Sequence, residues 1–231
     1  MSKSYKELQG WKMPEVAVRL SEDIEEGWFV NLGIGIPTIV ADGIPEGKEV
    51  ILHSENGILG IGEKAEEGGE DPDLVNAGKE PITLLPGGGF FSQAESFAMI
   101  RGGHLDAAVL GAYQVSMNGD VASWKLPGAS LGRVGGAMDL VVGSKRVFII
   151  MKHCTREGEA KIVEECSFPL TGANCVDRIY TDLAVIDVTN KGLVVRELAP
   201  GIEFEDVQAL TAAPLQKSDI ISTRHTEYSG G

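Results

Sequence analysis

One glutamate draws attention by its position. Glu55 follows the apolar run Val50-Ile51-Leu52 by way of His53-Ser54, and Asn56-Gly57 turn the chain directly after it. A glutamate with an ordinary pKa of about 4.3 is anionic at neutral pH. The chain has no recognisable Ser-His-Asp or Cys-His signature. His53 is expected to be structural, because alternation along a strand turns it away from its immediate neighbours. His153 and Cys154 are adjacent in sequence, and adjacent residues rarely face each other, so the pair carries little weight as a nucleophile and base. An isolated acid at a turn is most often a solvated group bonding local amides. Three glycine-rich segments, GIGIP (33–37), SENGILGIG (54–62) and PGGG (86–89), raise the functional reading of Glu55, because each is expected to follow a strand.

A second reading uses the same residues. Gly33-x-Gly35 after a strand, with an acid about 20 residues on at the end of the next one, resembles a dinucleotide fingerprint in which Glu55 would hold a ribose. The third glycine is missing, since Thr38 occupies its place, and Pro37 removes one amide where amides should meet a pyrophosphate. It is the weaker reading, resting on a partial motif. Lys79 taken alone reads as a surface lysine.

The elements that would position these residues follow from periodicity. Residues 13–26 read as a helix with Pro14 near its start, Val16, Ala17, Leu20 and Ile24 on one face, and Gly27 as its stop. Residues 28–32 read as a buried strand, a short helix begins near Pro37, and strands follow at 50–52 and 82–85. Residues 63–73 are acidic and loop-like, 91–100 helical, and 107–112 a strand. An Asn-Gly-Asp turn within 113–124 signals a hairpin. Strands are expected at 148–151, 183–188 and 193–198, and a last helix at 203–210. The order implies an α/β fold with a largely parallel sheet, flanking helices and an added β-hairpin region, whose site lies beyond the carboxyl ends of the strands. Residues 1–215 are expected to form a single domain and 216–231 a polar, frayed tail.

Composition limits the alternatives. The formal net charge of −14 repels phosphate backbones, so no nucleic-acid partner is expected, and a phosphate-bearing ligand needs a local basic pocket. Lys79, Arg101, Lys125 and Arg133 are the candidate cations. The cysteines, Cys154, Cys166 and Cys175, are odd in number and lack CxxC spacing, so neither a disulfide framework nor a metal site is expected. No apolar stretch reaches the roughly 20 residues of a membrane span, the N-terminus is unlike a secretory signal, and the cytoplasm follows by default.

The segments NLGIGIPT (31–38), SENGILGIG (54–62), NAGK (76–79), IRGGHLDAAVLGA (100–112), GGAMDLV (135–141) and a cysteine followed by PLTG within 166–172 closely resemble the B subunit of 3-oxoacid coenzyme A transferases, over about residues 13–215. The resemblance implies that Glu55 is the nucleophile and that Gly136, with Ala137, forms the oxyanion hole. It places Asn31, Lys79 and Asn56 at the coenzyme, with Gly33 and Gly35 in the site loops. It implies coenzyme A as substrate with no permanently bound cofactor, a separate A subunit in an A2B2 heterotetramer, and catalysis through an acyl-glutamyl anhydride and a glutamyl-CoA thioester. Within it the acceptor is expected to be a 3-oxo acid such as acetoacetate, with 3-oxoadipate or butyrate as alternatives, and the donor succinyl-CoA or acetyl-CoA.

Overall fold

The computed structural model describes residues 4–65, 68–130, 132 and 135–223. The first helix, α1 (Met13–Glu22), opens on Pro14, and the Glu15 carboxylate accepts from the Lys12 amide. Val16, Ala17 and Leu20 on its inner face are buried, as is Ile24 just beyond it. Strands β1 (Phe29–Leu32), β2 (Ile51–Ser54), β3 (Ile58–Lys64), β4 (Ile82–Phe90) and β5 (Ala107–Leu110) follow. A 3-10 helix at Ile36–Gly43 lies between β1 and β2, and α2 (Gln93–Arg101) lies between β4 and β5. Next come β6 (Gln114–Ser116), β7 (Val121–Ala122), α3 (Ala137–Gly143), β8 (Val147–Ile150), β9 (Ile162–Val163) and β10 (Arg178–Tyr180). The chain continues through β11 (Ala184–Thr189), β12 (Gly192–Leu198), α4 (Phe204–Ala209) and β13 (Leu215–Thr223).

Among the described residues ten strands form one sheet, in the order β13-β12-β11-β10-β8-β5-β1-β2-β3-β4. Its centre, β10-β8-β5-β1-β2, is parallel throughout. Every residue of β5 and of β8 is buried, as befits strands covered on both faces. The hairpin β6-β7 turns at Asn118-Gly119 and pairs with β9 in a small second sheet. An ion pair anchors α1 to β12: the buried Arg19 guanidinium donates from Nε and Nη2 to the Glu197 carboxylate, 2.6 Å each.

The mostly parallel α/β expectation therefore holds, with three corrections. Residues 58–62 of the SENGILGIG segment are not a loop but open strand β3, which also takes Glu63 and Lys64 from the expected 63–73 loop and runs antiparallel to β2 and β4. The PGGG run lies inside β4 rather than after it, because glycines without side chains still pair through their backbones. Residues 216–223 are not a frayed tail: with Leu215 they form β13, parallel to β12 from Leu193↔Leu215 onward. Their polar composition suits an edge strand, which periodicity does not separate from a tail. Residues 224–231 lie outside the described residues.

Candidate active site

β1 and β2 run side by side, with Asn31 paired to His53 in register. Glu55 follows β2 at the carboxyl edge of the parallel strands, and Gly57 turns the chain there at φ +112°. A Cβ on Gly57 would meet the Phe91 carbonyl oxygen at 2.0 Å, so no other residue fits between Glu55 and the start of α2. Ser92 caps α2, its Oγ accepting from the Glu95 amide while Glu95 accepts from the Ser92 amide. The first turns of α2 bring Ser96 and Phe97 to the site.

Gly136, just ahead of α3, lies against the Glu55 carboxylate, and its backbone N–H and the Asn31 amide both favour the charged form. Burial raises the Glu55 pKa above the ordinary value, and these two donors oppose the rise. A Cβ at position 136 would lie 3.2 Å from Glu55 Oε1 and 3.2 Å from Phe97 Cζ. A salt bridge from Arg101 Nε to Asp139 Oδ1, 2.7 Å, ties α2 to α3, with the Arg101 guanidinium over the Phe97 ring. Arg101, a candidate cation for the coenzyme, is therefore engaged with Asp139.

The NAGK turn is fastened to the residues flanking Glu55. Ser54 Oγ accepts from the Ala77 amide at 2.9 Å, and Asn56 Nδ2 donates to the Val75 carbonyl at 2.7 Å. Asn56, expected at the coenzyme, thus spends its amide on this loop. Lys79 sits on the turn at φ +64°, a left-handed conformation that costs a side-chain-bearing residue about 1–2 kcal/mol. Lys125 is part-buried on the loop after β7. Arg133 lies outside the described residues. Gly33 leads off β1 against Val109 and Leu110, and Gly35 has φ +89°. Ala137 opens α3 directly after Gly136.

His53 is buried, as expected of a structural histidine, and burial lowers its pKa to about 4, so it is neutral. His153 is likewise neutral, held between Thr181 Oγ1 and Thr211 Oγ1 at 3.0 and 2.9 Å. Burial pushes the neighbouring Cys154 thiol up to about 11, leaving no reactive thiolate. A cavity of about 510 Å³ lined by Glu22, Trp28, Arg146 and Arg178 lies at the amino ends of β1, β8 and β10, across the sheet from Glu55, and belongs to no part of this constellation. Sequence reasoning missed Ser54, Ser96 and Phe97. The helix expected at 91–100 already held the last two, but its periodicity did not turn them toward Glu55.

The dinucleotide reading fails on this geometry. The segment after Gly35 is a 3-10 helix, and the Thr38 amide and hydroxyl both bond the Gly35 carbonyl instead of facing a pyrophosphate. Glu55 turns to Gly136 and Asn31.

Comparison with known proteins agrees. The coenzyme A transferase family model matches residues 13–210. The chain is 56% identical over 204 residues to the B subunit of the 3-oxoadipate CoA-transferase of Pseudomonas putida, covering 88% of this chain and 95% of that one. It is 50% identical over 198 residues to the B subunit of the succinyl-CoA:3-ketoacid coenzyme A transferase of Helicobacter pylori, covering 86% and 95%. The crystal structure of an acyl-CoA transferase from Escherichia coli O157:H7 superposes with a TM-score of 0.75 at 19% identity, over 94% of this chain and 44% of that longer one; this likeness concerns the fold alone. With a family model spanning most of its length and relatives of this identity over nearly all of theirs, the chain belongs to the coenzyme A transferase family.

Proposed function

We propose that the chain is the glutamate-bearing B subunit of a two-subunit CoA transferase, moving CoA from an acyl-CoA donor to a 3-oxo acid through covalent intermediates on Glu55. The observation that carries this reading is the part-buried Glu55 carboxylate at the carboxyl edge of the parallel strands, raised in pKa by burial and packed against Gly136, whose backbone N–H favours the anion. Partial desolvation leaves the anion more nucleophilic than it is in water. Its attack on the thioester carbonyl forms a new C–O bond, and collapse of the tetrahedral adduct breaks the C–S bond, leaving an acyl-glutamyl anhydride and CoA thiolate. The thiolate then attacks the glutamyl carbonyl and releases the acyl group as a carboxylate, leaving glutamyl-CoA. The acceptor acid runs the same steps in reverse, so the thioester bond energy is conserved.

The Gly136 N–H points at the glutamyl carboxyl, which is where the oxyanion forms when thiolate attacks the anhydride. A preorganised donor there is worth roughly 3–4 kcal/mol by analogy with other acyl-transfer sites. Ala137 is the second candidate donor. Asn31 and Lys79 face the coenzyme in this reading, with Asn31 Oδ1 buried and without a partner, an acceptor suited to a ligand N–H or O–H.

Relatives named for 3-oxoadipate and for 3-ketoacids share the 3-oxo acid class, which makes acetoacetate and 3-oxoadipate the acceptors to compare and succinyl-CoA the donor. The A subunit is expected to cover Ile34 and Phe90, apolar side chains 67% and 65% exposed on segments flanking the site, in an A2B2 complex working in the cytoplasm. Among the described residues no helix is long and apolar enough to cross a membrane. The test is a titration of the purified chain with its A subunit, assayed with succinyl-CoA and each acceptor. Activity that appears only with the A subunit supports the reading. Full exchange by the chain alone, or none by the complex with any 3-oxo acid, overturns it.

A further inference from the structure

The buried amide of Asn31 has a defined orientation, and the reason lies one strand away. Its Nδ2 is 3.0 Å from His53 Nδ1 and 3.2 Å from the His53 carbonyl oxygen. Turning the amide over would set Oδ1 against that carbonyl, two acceptors facing each other in a buried site. The nitrogen therefore stays toward His53. An amide nitrogen only donates, so His53 Nδ1 must be the bare, accepting nitrogen of a neutral ring. The ring proton then resides on Nε2, 2.9 Å from Ser96 Oγ, which accepts it. The ring also stacks on Phe91, with centroids 6.2 Å apart and planes inclined by 16°. Ser96 on α2, His53 on β2 and Asn31 on β1 thus form a buried relay, all three within 5% exposure. Its far end is Asn31, whose amide favours the charged form of Glu55 and whose Oδ1 has no partner.

We propose that His53 is a positioning residue, holding the Asn31 amide so that Oδ1 is presented to a hydrogen-bond donor of the acyl-CoA while the same side chain steadies Glu55. The role in turnover rests on the transferase reading above; the hydrogen-bond relay itself does not. Without the Nδ1 acceptor only the His53 carbonyl holds the amide in place, and any rotation presents an NH2 where the ligand needs an oxygen. His53→Leu keeps the bulk and removes the acceptor. His53→Asn places its own Oδ1 at the same distance from Cβ as Nδ1 and so restores an acceptor for Asn31, although it loses Ser96.

Two measurements test this. In ¹⁵N spectra of the wild-type protein with labelled histidine, at neutral pH, His53 should show an unprotonated Nδ1 and a protonated Nε2. The opposite tautomer overturns the proposal whether or not the protein is a transferase. Second, acyl-CoA kinetics are measured on the two-subunit complex. His53→Leu should raise KM for acyl-CoA by about tenfold, the size of one lost hydrogen bond, and His53→Asn should recover most of that loss. In an Asn31→Ala background His53→Leu should have no further effect, because residues acting through one contact are not additive. Equal losses in the Leu and Asn variants, or additive losses with Asn31→Ala, would show that His53 serves only packing. An inactive wild-type complex would contradict the transferase reading and leave the tautomer measurement to decide the relay.

Discussion

Replacing Gly136 by alanine isolates the contribution of one N–H group. The backbone there has φ −85° and ψ 0°, which any L-residue can adopt, so alanine brings no conformational strain. What it brings is a methyl group 3.2 Å from Glu55 Oε1, 3.2 Å from Phe97 Cζ and 3.3 Å from Glu55 Cδ. Each contact is a few tenths of an ångström too short. The Phe97 ring can tilt, but the carboxyl group lies against the very peptide that carries the new methyl. The carboxylate must therefore retreat from the Gly136 N–H. Complete loss of an oxyanion donor costs roughly 10²–10³ in kcat, and a 1 Å misplacement about 10². A displacement of tenths of an ångström should cost about 10–10² in kcat, or ~1.4–2.7 kcal/mol of barrier. KM for acyl-CoA should change little, because the coenzyme's distal contacts are untouched. The assay is steady-state exchange with succinyl-CoA, alongside single-turnover formation of the covalent intermediate. Combining the change with Phe97→Ala should restore part of the rate by giving the methyl somewhere to go. Unchanged kcat with a fully occupied site would refute the reasoning, as would a loss that appears only in KM.

Two further outcomes follow from the same geometry. Lys79 adopts φ +64° on a loop tied to Ser54 and Asn56, so Lys79→Gly should leave thermal stability within about 1 kcal/mol, since relief of the left-handed strain offsets the added freedom of the unfolded chain. The same change should raise KM for acyl-CoA tenfold or more, as expected for a lost charge-assisted contact; an unchanged KM would mean that Lys79 does not touch the coenzyme. Burial raises the Glu55 pKa, so kcat/KM should fall with decreasing pH at a higher pH than an exposed glutamate would give, as the nucleophile takes up a proton. The sign for stability is opposite to that of a salt-bridged acid. The folded state holds this proton more tightly than the unfolded chain, so the charged group costs stability at neutral pH, and the cost disappears as pH falls through the folded pKa. Glu55→Gln should therefore melt no lower than the wild type at pH 7, with any advantage vanishing in acid. A marked loss of stability at pH 7 would contradict this.

Much of the site's framework was legible in the chain itself. Buried parallel strands read as unbroken apolar runs, so Val50-Ile51-Leu52 and Ala107–Ala112 marked the sheet, and Glu55 fell where a parallel sheet places its ligands. Strand β3 was hidden because GILGIG has the composition of a loop, and the sheet context that makes glycines pair is not local. Strand β13 was hidden because edge strands are polar. The meeting of Glu55 with Gly136, 81 positions apart in the numbering, came from the family resemblance and not from any pattern in the residues. The relay from Ser96 through His53 to Asn31 depends on strand register and helix placement together, which no spacing rule supplies.

The central claim, that Glu55 carries the acyl and coenzyme groups, is tested most directly by trapping. The assembled two-subunit protein is mixed with succinyl-CoA in the absence of an acceptor acid, reduced with borohydride, digested and analysed by mass spectrometry. The account predicts that the peptide containing residues 51–62 is reduced at Glu55, and that Glu55→Gln abolishes the modification. A modified residue elsewhere, with Glu55 intact in a complex that turns over, would contradict it.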